Sequence, residues 1–239
     1  MNRRKQLYLI FQWHMHQPFY KDALSEEYLM PWTRLHVTKD YTDMAWHLQR
    51  HPEVKGVVNF VPSLLRQIEE YHDFENIRER HLQITRKPAD QLSDQEKVVM
   101  LQEFFAAQFD RILARSPRYL ELLSKRGDDK SEKALRKAVK NFSPQDFLDL
   151  QVWFLLAWTG EYLKSRDDVV QLMQKDRKFT EEEKQNLLEI HESAVHEVIG
   201  MYKNLQDNDQ VEISISPYAH PILPLLMDSE IARISMPDV

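Results

Sequence analysis

Leu7-Tyr8-Leu9-Ile10-Phe11 is a short, continuous apolar run that stops abruptly at Gln12-Trp13-His14-Met15-His16-Gln17-Pro18. A strand buried on both faces reads this way, with functional groups placed where it emerges. Val57-Val58-Asn59-Phe60-Val61 is a second strand signal. Pro62 suits the first turn of a following helix, whose apolar stripe is Leu64, Leu65, Ile68 and Tyr71. Between the strands, residues 18–37 lack periodicity and read as a long loop. Residues 38–50 read as a helix with Tyr41, Met44, Ala45 and Leu48 on one face, ended by His51-Pro52 and Gly56. The order strand, helix, strand, helix predicts parallel α/β structure.

The pattern then becomes helical from about residue 75 to 205. Val98, Leu101, Phe105, Phe109 and Ile112 keep a spacing of three and four, as do Leu187, His191, Ala194, Val198, Met201 and Leu205. Breaks fall at Pro88, Ser116-Pro117, Gly127-Asp128-Asp129, Ser143-Pro144 and Gly160, and Thr180 before Glu181, Glu182 and Glu183 reads as an N-cap with an acidic first turn. Strand character returns at Val211-Glu212-Ile213-Ser214-Ile215-Ser216, with Val211, Ile213 and Ile215 on one face and Glu212, Ser214 and Ser216 on the other. The helical stretch is far longer than one crossover needs, so it is expected to be an insertion. The division is then 1–74 for the first strand–helix units, 75–206 for the helical insertion and 207–239 for the third strand and the loop after it.

Composition narrows the chemistry. Only 4 of 239 residues are glycine, and they are Gly56, Gly127, Gly160 and Gly200, so no glycine-rich phosphate loop can be written. There is no cysteine, which removes disulfides, thiolate metal sites and cysteine nucleophiles. A net charge of -6 with interspersed signs argues against nucleic acid or an anionic membrane surface as a partner. Arg3, Arg4 and Lys5 before the apolar run superficially resemble a signal peptide. The run is too short, holds Gln12 and has no small-residue cleavage site, so a cytoplasmic location is expected.

Three groups of residues are candidates for chemistry. His14, His16 and Gln17 follow the first strand, where parallel α/β folds place their sites, and suit hydrogen bonding to a polyhydroxyl ligand. The plainer alternative is two satisfied loop histidines. Glu212 with His220 is the second group, because a carboxylate in an apolar strand either faces solvent or has a partner. Trp32-Thr33-Arg34-Leu35-His36, with Asp40 nearby, is the third: a sugar-stacking platform or a packed tryptophan with loop charges. Trp153, Phe154, Trp158, Phe104 and Phe105 lie at helical spacing and read as core. His14, His16, Glu212 and His220 are also zinc-ligand types, which keeps a metal-dependent hydrolase open as an alternative. A non-catalytic carbohydrate-binding fragment is another.

Trp13-His14-Met15-His16-Gln17-Pro18-Phe19-Tyr20 resembles the first, His-Gln-Pro motif of glycoside hydrolase family 57. Asp209-Gln210-Val211-Glu212-Ile213 and Ser216-Pro217-Tyr218-Ala219-His220-Pro221 resemble its second motif, with Asp209 where the family has glycine. Pro31-Trp32-Thr33-Arg34-Leu35-His36, Lys39-Asp40-Tyr41 and Asn59-Phe60-Val61-Pro62-Ser63-Leu64-Leu65 are similar to its α-amylase-like branch. The resemblance implies a retaining glycosidase on an incomplete (β/α)7 barrel, acting on α-glucans without a cofactor. Its nucleophilic Glu and acid Asp belong to third and fourth motifs, and no such segments follow His220. The expectation is therefore the N-terminal portion of a catalytic domain, inactive alone, with the missing C-terminal part of the enzyme as a partner. His14, His16, Gln17, Trp32, Glu212 and His220 would bind substrate, with no catalytic residue and no metal ligand among them.

Overall fold

Three short strands lie side by side in the computed structural model, which describes residues 7–238. They are β1 (Gln12–Met15), β2 (Gly56–Phe60) and β3 (Val211–Ile215), all parallel, in the order β1-β2-β3. The helices in chain order are α1 (Trp32–His36), α2 (Thr42–Arg50), α3 (Pro62–Glu70), α4 (Arg80–Arg86), α5 (Asp94–Glu103), α6 (Pro117–Arg126), α7 (Glu132–Val139), α8 (Pro144–Ala157), α9 (Glu161–Lys164), α10 (Asp167–Lys175), α11 (Glu181–Asp207), α12 (Leu223–Met227) and α13 (Ala232–Ser235). The architecture is mixed α/β, with nine of these helices, α3 to α11, between β2 and β3.

Strand register explains the division of labour across the sheet. Trp13, Val58 and Ile213 share one row, and Met15, Phe60 and Ile215 the next on the same face. Met15, Val58, Phe60 and Val211 are buried there, and the Phe60 ring meets Tyr202 of α11 edge-on at 5.1 Å. The opposite face carries the rows Gln12–Val57–Glu212 and His14–Asn59–Ser214. Period-two alternation thus sends apolar groups to the helices and polar ones to the open side. The helices between β2 and β3 do not form a core of their own: one continuous apolar cluster joins Met15 and Val58 to Leu150, Phe154 and Val198.

Helix boundaries follow local chemistry. Ser93 with Glu96, Ser143 with Asp146 and Thr180 with Glu183 form reciprocal capping boxes at α5, α8 and α11. Pro62, Pro117 and Pro144 open α3, α6 and α8, and Gly127 ends α6 at a φ of 82°. Gly56 is small for another reason: a Cβ there would lie 2.6 Å from the Trp13 ring.

Several expectations need correction. Leu7–Phe11 is not the first strand. These side chains are exposed, Leu7 at 92%, and β1 starts at Gln12 because its ladder partner begins at Gly56-Val57, whose Val57 N–H reaches only as far back as the Phe11 carbonyl. Arg3, Arg4 and Lys5 lie outside the described residues. Residues 18–37 are not all loop: α1 starts after Pro31 and runs through a π-helical turn (Val37–Tyr41) into α2. The helix expected through Phe109 and Ile112 stops at Glu103. The Phe104 carbonyl accepts the Tyr119 hydroxyl at 2.5 Å and the Ala106 carbonyl accepts the Trp158 indole N–H at 3.0 Å, so these acceptors are taken by side chains and Phe109 is exposed. Beyond β3 there are short helical turns, α12 and α13, with no buried residue.

Candidate functional site

Asn59 organises the open face of the sheet. It is a polar residue inside an apolar strand and is nearly buried. Its Oδ1 accepts from Ser216 Oγ at 2.8 Å and lies 2.7 Å from His14 Nδ1, while its Nδ2 donates to Ser214 Oγ at 3.0 Å. An amide oxygen only accepts, so His14 must carry its proton on Nδ1. In the neutral tautomer, Nε2 is then left as an acceptor.

Three histidines gather at the C-terminal ends of the strands. Ring centroids are 4.4 Å apart for His14 and His220, 5.2 Å for His16 and His220, and 5.9 Å for His14 and His16. His220 reaches the group from a tight turn in which its N–H donates to the Pro217 carbonyl, at a φ of 52°. Histidine tolerates this left-handed region better than most residues. Burial, then the neighbouring His220 and His14, hold the His16 pKa below its ordinary value, which favours the neutral ring.

Gln17 links this group to a second wall. Its amide donates to the Tyr41 hydroxyl at 3.1 Å and its Oε1 accepts from the Tyr20 hydroxyl at 2.9 Å. The Tyr41 ring faces His36 at 6.2 Å, His36 meets Trp158 edge-on at 5.4 Å, and Trp158 packs against Trp32 at 5.5 Å. Both tryptophans are partly exposed. His36 Nδ1 lies 2.5 Å from Asp40 Oδ2, and Lys39 donates to Asp40 Oδ1 at 3.0 Å. Burial works against the Asp40 charge, but these two partners keep its pKa below the usual carboxylate value. Asp40 sits on the π-helical turn, a departure from regular helix that recurs at functional sites.

Of the residues expected to act together, His14, His16 and His220 form one group and Gln17 adjoins it through its own hydrogen bonds. Trp32 lies on the second wall. Glu212 is placed differently: it shares the open face but pairs with Val57, two residues before Ser214, roughly 7 Å along the strand from the histidine row. Among the described residues no three histidines or carboxylates are arranged to hold a metal ion, and of the four residues weighed as an alternative metal set Glu212 lies apart from the three histidines. Arg34 is no loop charge. It is fully buried and its Nε donates to Glu79 Oε2 at 2.6 Å.

Reading the residues alone misses Asn59, Ser214, Tyr41, Tyr20 and Trp158. The signal for Asn59 was its place as the single polar residue of β2. Trp158, assigned to the core by spacing, does pack against it, but α8 ends at Ala157 and leaves the ring partly exposed. Gln210, inside the second motif, is buried and structural: its amide reaches the carbonyls of Leu48, His51 and Val54 at 2.6, 3.0 and 3.1 Å and ties β3 to the end of α2.

Residues 10–235 match the family described as Glycosyl hydrolase family 57. The chain belongs to glycosyl hydrolase family 57. No curated protein and no solved structure matches it. Family 57 enzymes are glycoside hydrolases, so the family implies a carbohydrate substrate. Among the described residues no helix is long and apolar enough to cross a membrane.

Proposed function

We propose that this chain forms the sugar-binding wall of a retaining glycosidase acting on α-glucans, built on the first strands of a (β/α)7 barrel. The observation that carries the reading is the His14–His16–His220 group at the parallel strand ends, connected through Gln17, Tyr41 and His36 to Trp158 and Trp32. Neutral imidazoles offer acceptors to sugar hydroxyls, and tryptophan faces stack on the apolar faces of glucose rings.

The 239 residues alone are expected to hydrolyse nothing. Retention requires two carboxyl groups about 5 Å apart, one as nucleophile and one as acid/base. The three strands carry one carboxylate, Glu212, and it lies below the histidine row. Glu212 therefore supports the site and does not attack. Further polypeptide seated against the sheet edges would supply the reacting pair. Exposed apolar side chains at Ile215, Ile222, Leu226 and Met227 favour that arrangement.

The test is calorimetric titration of the chain with maltoheptaose beside an assay on soluble starch. Binding is expected, weakened about tenfold, near 1.4 kcal/mol, in each of Trp32→Ala and Asn59→Ala. No new reducing ends should form. Absence of maltoheptaose binding by a folded chain overturns the sugar reading, and starch turnover abolished by Glu212→Gln overturns the non-hydrolytic one.

A further inference from the structure

Beside the tryptophan wall lies a groove that the glucan reading leaves unused. Two adjoining cavities, of about 420 and 550 Å³, share Arg111, Arg115, Glu161 and Lys164. The first extends to Lys39 and the Trp158 indole. Four cationic side chains thus surround this first cavity against one carboxylate, in a chain whose net charge is -6.

The pairing of these cations is uneven. Lys39 is engaged with Asp40, and Lys164 with Glu161 at 3.1 Å. Arg111 and Arg115 have no hydrogen bond or ion pair from their guanidinium groups among the described residues, although both line both cavities. Many other arginines are matched by carboxylates, Arg34 by Glu79, Arg118 by Asp146 and Asp149, Arg166 by Asp168 and Arg177 by Glu121, while Arg50 lies over the Trp46 ring. Two exposed, unmatched guanidinium groups facing one groove make its potential positive, which attracts an anion. Guanidinium geometry suits the oxygens of a phosphate, which it binds through paired N–H donors. A phosphate monoester carries roughly two negative charges near neutral pH, in keeping with two free arginines. The indole at the same cavity, continuous through Trp32 with the proposed glucan wall, gives a sugar ring a surface to rest on.

We infer that this groove recognises a phosphorylated glucosyl unit, its phosphate taken by Arg111 and Arg115 and its ring lying against Trp158. The inference rests on the α-glucan reading and narrows it to chains carrying a phosphate ester.

The experiment titrates the 239-residue chain by calorimetry with maltose, maltose 6′-phosphate and inorganic phosphate, and repeats the series with the Arg111→Gln/Arg115→Gln variant. Both arginines are exposed, so the variant keeps the fold, which a thermal melt verifies. Maltose 6′-phosphate is expected to bind at least about tenfold more tightly than maltose. That advantage should vanish in the double variant while maltose affinity stays unchanged, and should shrink as salt rises from about 0.05 to about 0.5 M. Equal affinity for the two sugars, or an advantage that survives the double substitution, overturns the groove assignment and leaves the glucan reading intact. Inorganic phosphate binding as tightly as maltose 6′-phosphate overturns it in favour of a simple anion site. Failure of both sugars to bind overturns the glucan reading together with the inference.

Discussion

Asp209 shows how one residue can depart from a family pattern and keep the local geometry. It stands where the resembling motif has glycine, and its φ is 53°, in the left-handed region that glycine adopts freely. Aspartate is among the few other residues that tolerate this conformation, because its short side chain bonds locally. The turn is held by the Asp209 N–H to the Gln206 carbonyl at 2.9 Å and by Lys55 Nζ to the Asp209 carbonyl at 2.9 Å. Asp209→Gly is therefore expected to melt within about 2 °C of the parent or above it. Asp209→Val should lose about 1–2 kcal/mol, since a β-branched side chain is excluded from that region. Scanning calorimetry checks both, and a Val variant as stable as the parent would contradict the strain argument. At this scale much was legible. The histidines, Gln17 and the departure at Asp209 could all be read from the motifs. The hydrogen bonding of Asn59 and the clamp made by Gln210 could not, because both depend on partners 45 to 162 residues away.

At the scale of the element, local breakers were reliable, and periodicity held for the stripe of α11 but failed where α5 stops before Phe109 and Ile112. Pro88, Ser116-Pro117, Gly127, Ser143-Pro144 and Gly160 each fall at or beside a helix end. The stretch from Trp32 to Val37 was read as loop because polar residues share its buried side with Leu35 and Val37. Thr33, Arg34 and Thr38 are all buried, Arg34 against Glu79 and Thr38 with its hydroxyl donating to the Trp158 carbonyl at 2.8 Å. A helix that buries polar groups satisfied by distant elements shows a broken apolar stripe. The contact between α2 and α9 makes a sharp test. Asp43 caps α9 by accepting the Glu161 N–H at 2.7 Å and the Tyr162 N–H at 2.8 Å, and burial raises its pKa despite those bonds. A Cβ on Gly160 would overlap that carboxylate, falling 2.6 Å from its Cγ. Gly160→Ala is expected to cost about 1–3 kcal/mol, through lost capping and overpacking, rather than the stabilisation glycine-to-alanine changes often bring. Denaturant unfolding measures it, and a stabilised variant would show that Asp43 moves without penalty.

Over the whole molecule, acid sensitivity follows from a buried histidine. His191 on α11 lies 2.9 Å from Thr159 Oγ1, whose own proton goes to the Leu155 carbonyl at 2.9 Å, so His191 donates from Nε2. Its Nδ1 is buried without a partner. Burial, then the nearby Arg34 charge, push the His191 pKa down to about 3. The folded state thus binds fewer protons than the unfolded chain between roughly pH 6.5 and 3. Stability is full above 6.5 and is lost as pH falls through that window, by an amount on the order of a few kcal/mol. His16, also lowered, adds in the same direction from the same upper limit. Paired carboxylates such as Asp146, held to about 2, add their loss only below about pH 4. His191→Gln should flatten the melting temperature between pH 6.5 and 4, and an unchanged pH slope would remove His191 as the cause.

By itself the sequence determined the parallel α/β class, most helix boundaries, the histidine-rich strand end and the family, because each depends on local pattern or on residues close together along the chain. Only the tertiary structure decided where the first strand starts, that Arg34 is buried, that Glu212 sits below the histidines, and that Trp158 and two unpaired arginines share a groove. These depend on strand register and on contacts between distant elements, where a shift of a single residue moves a side chain to the opposite face of the sheet.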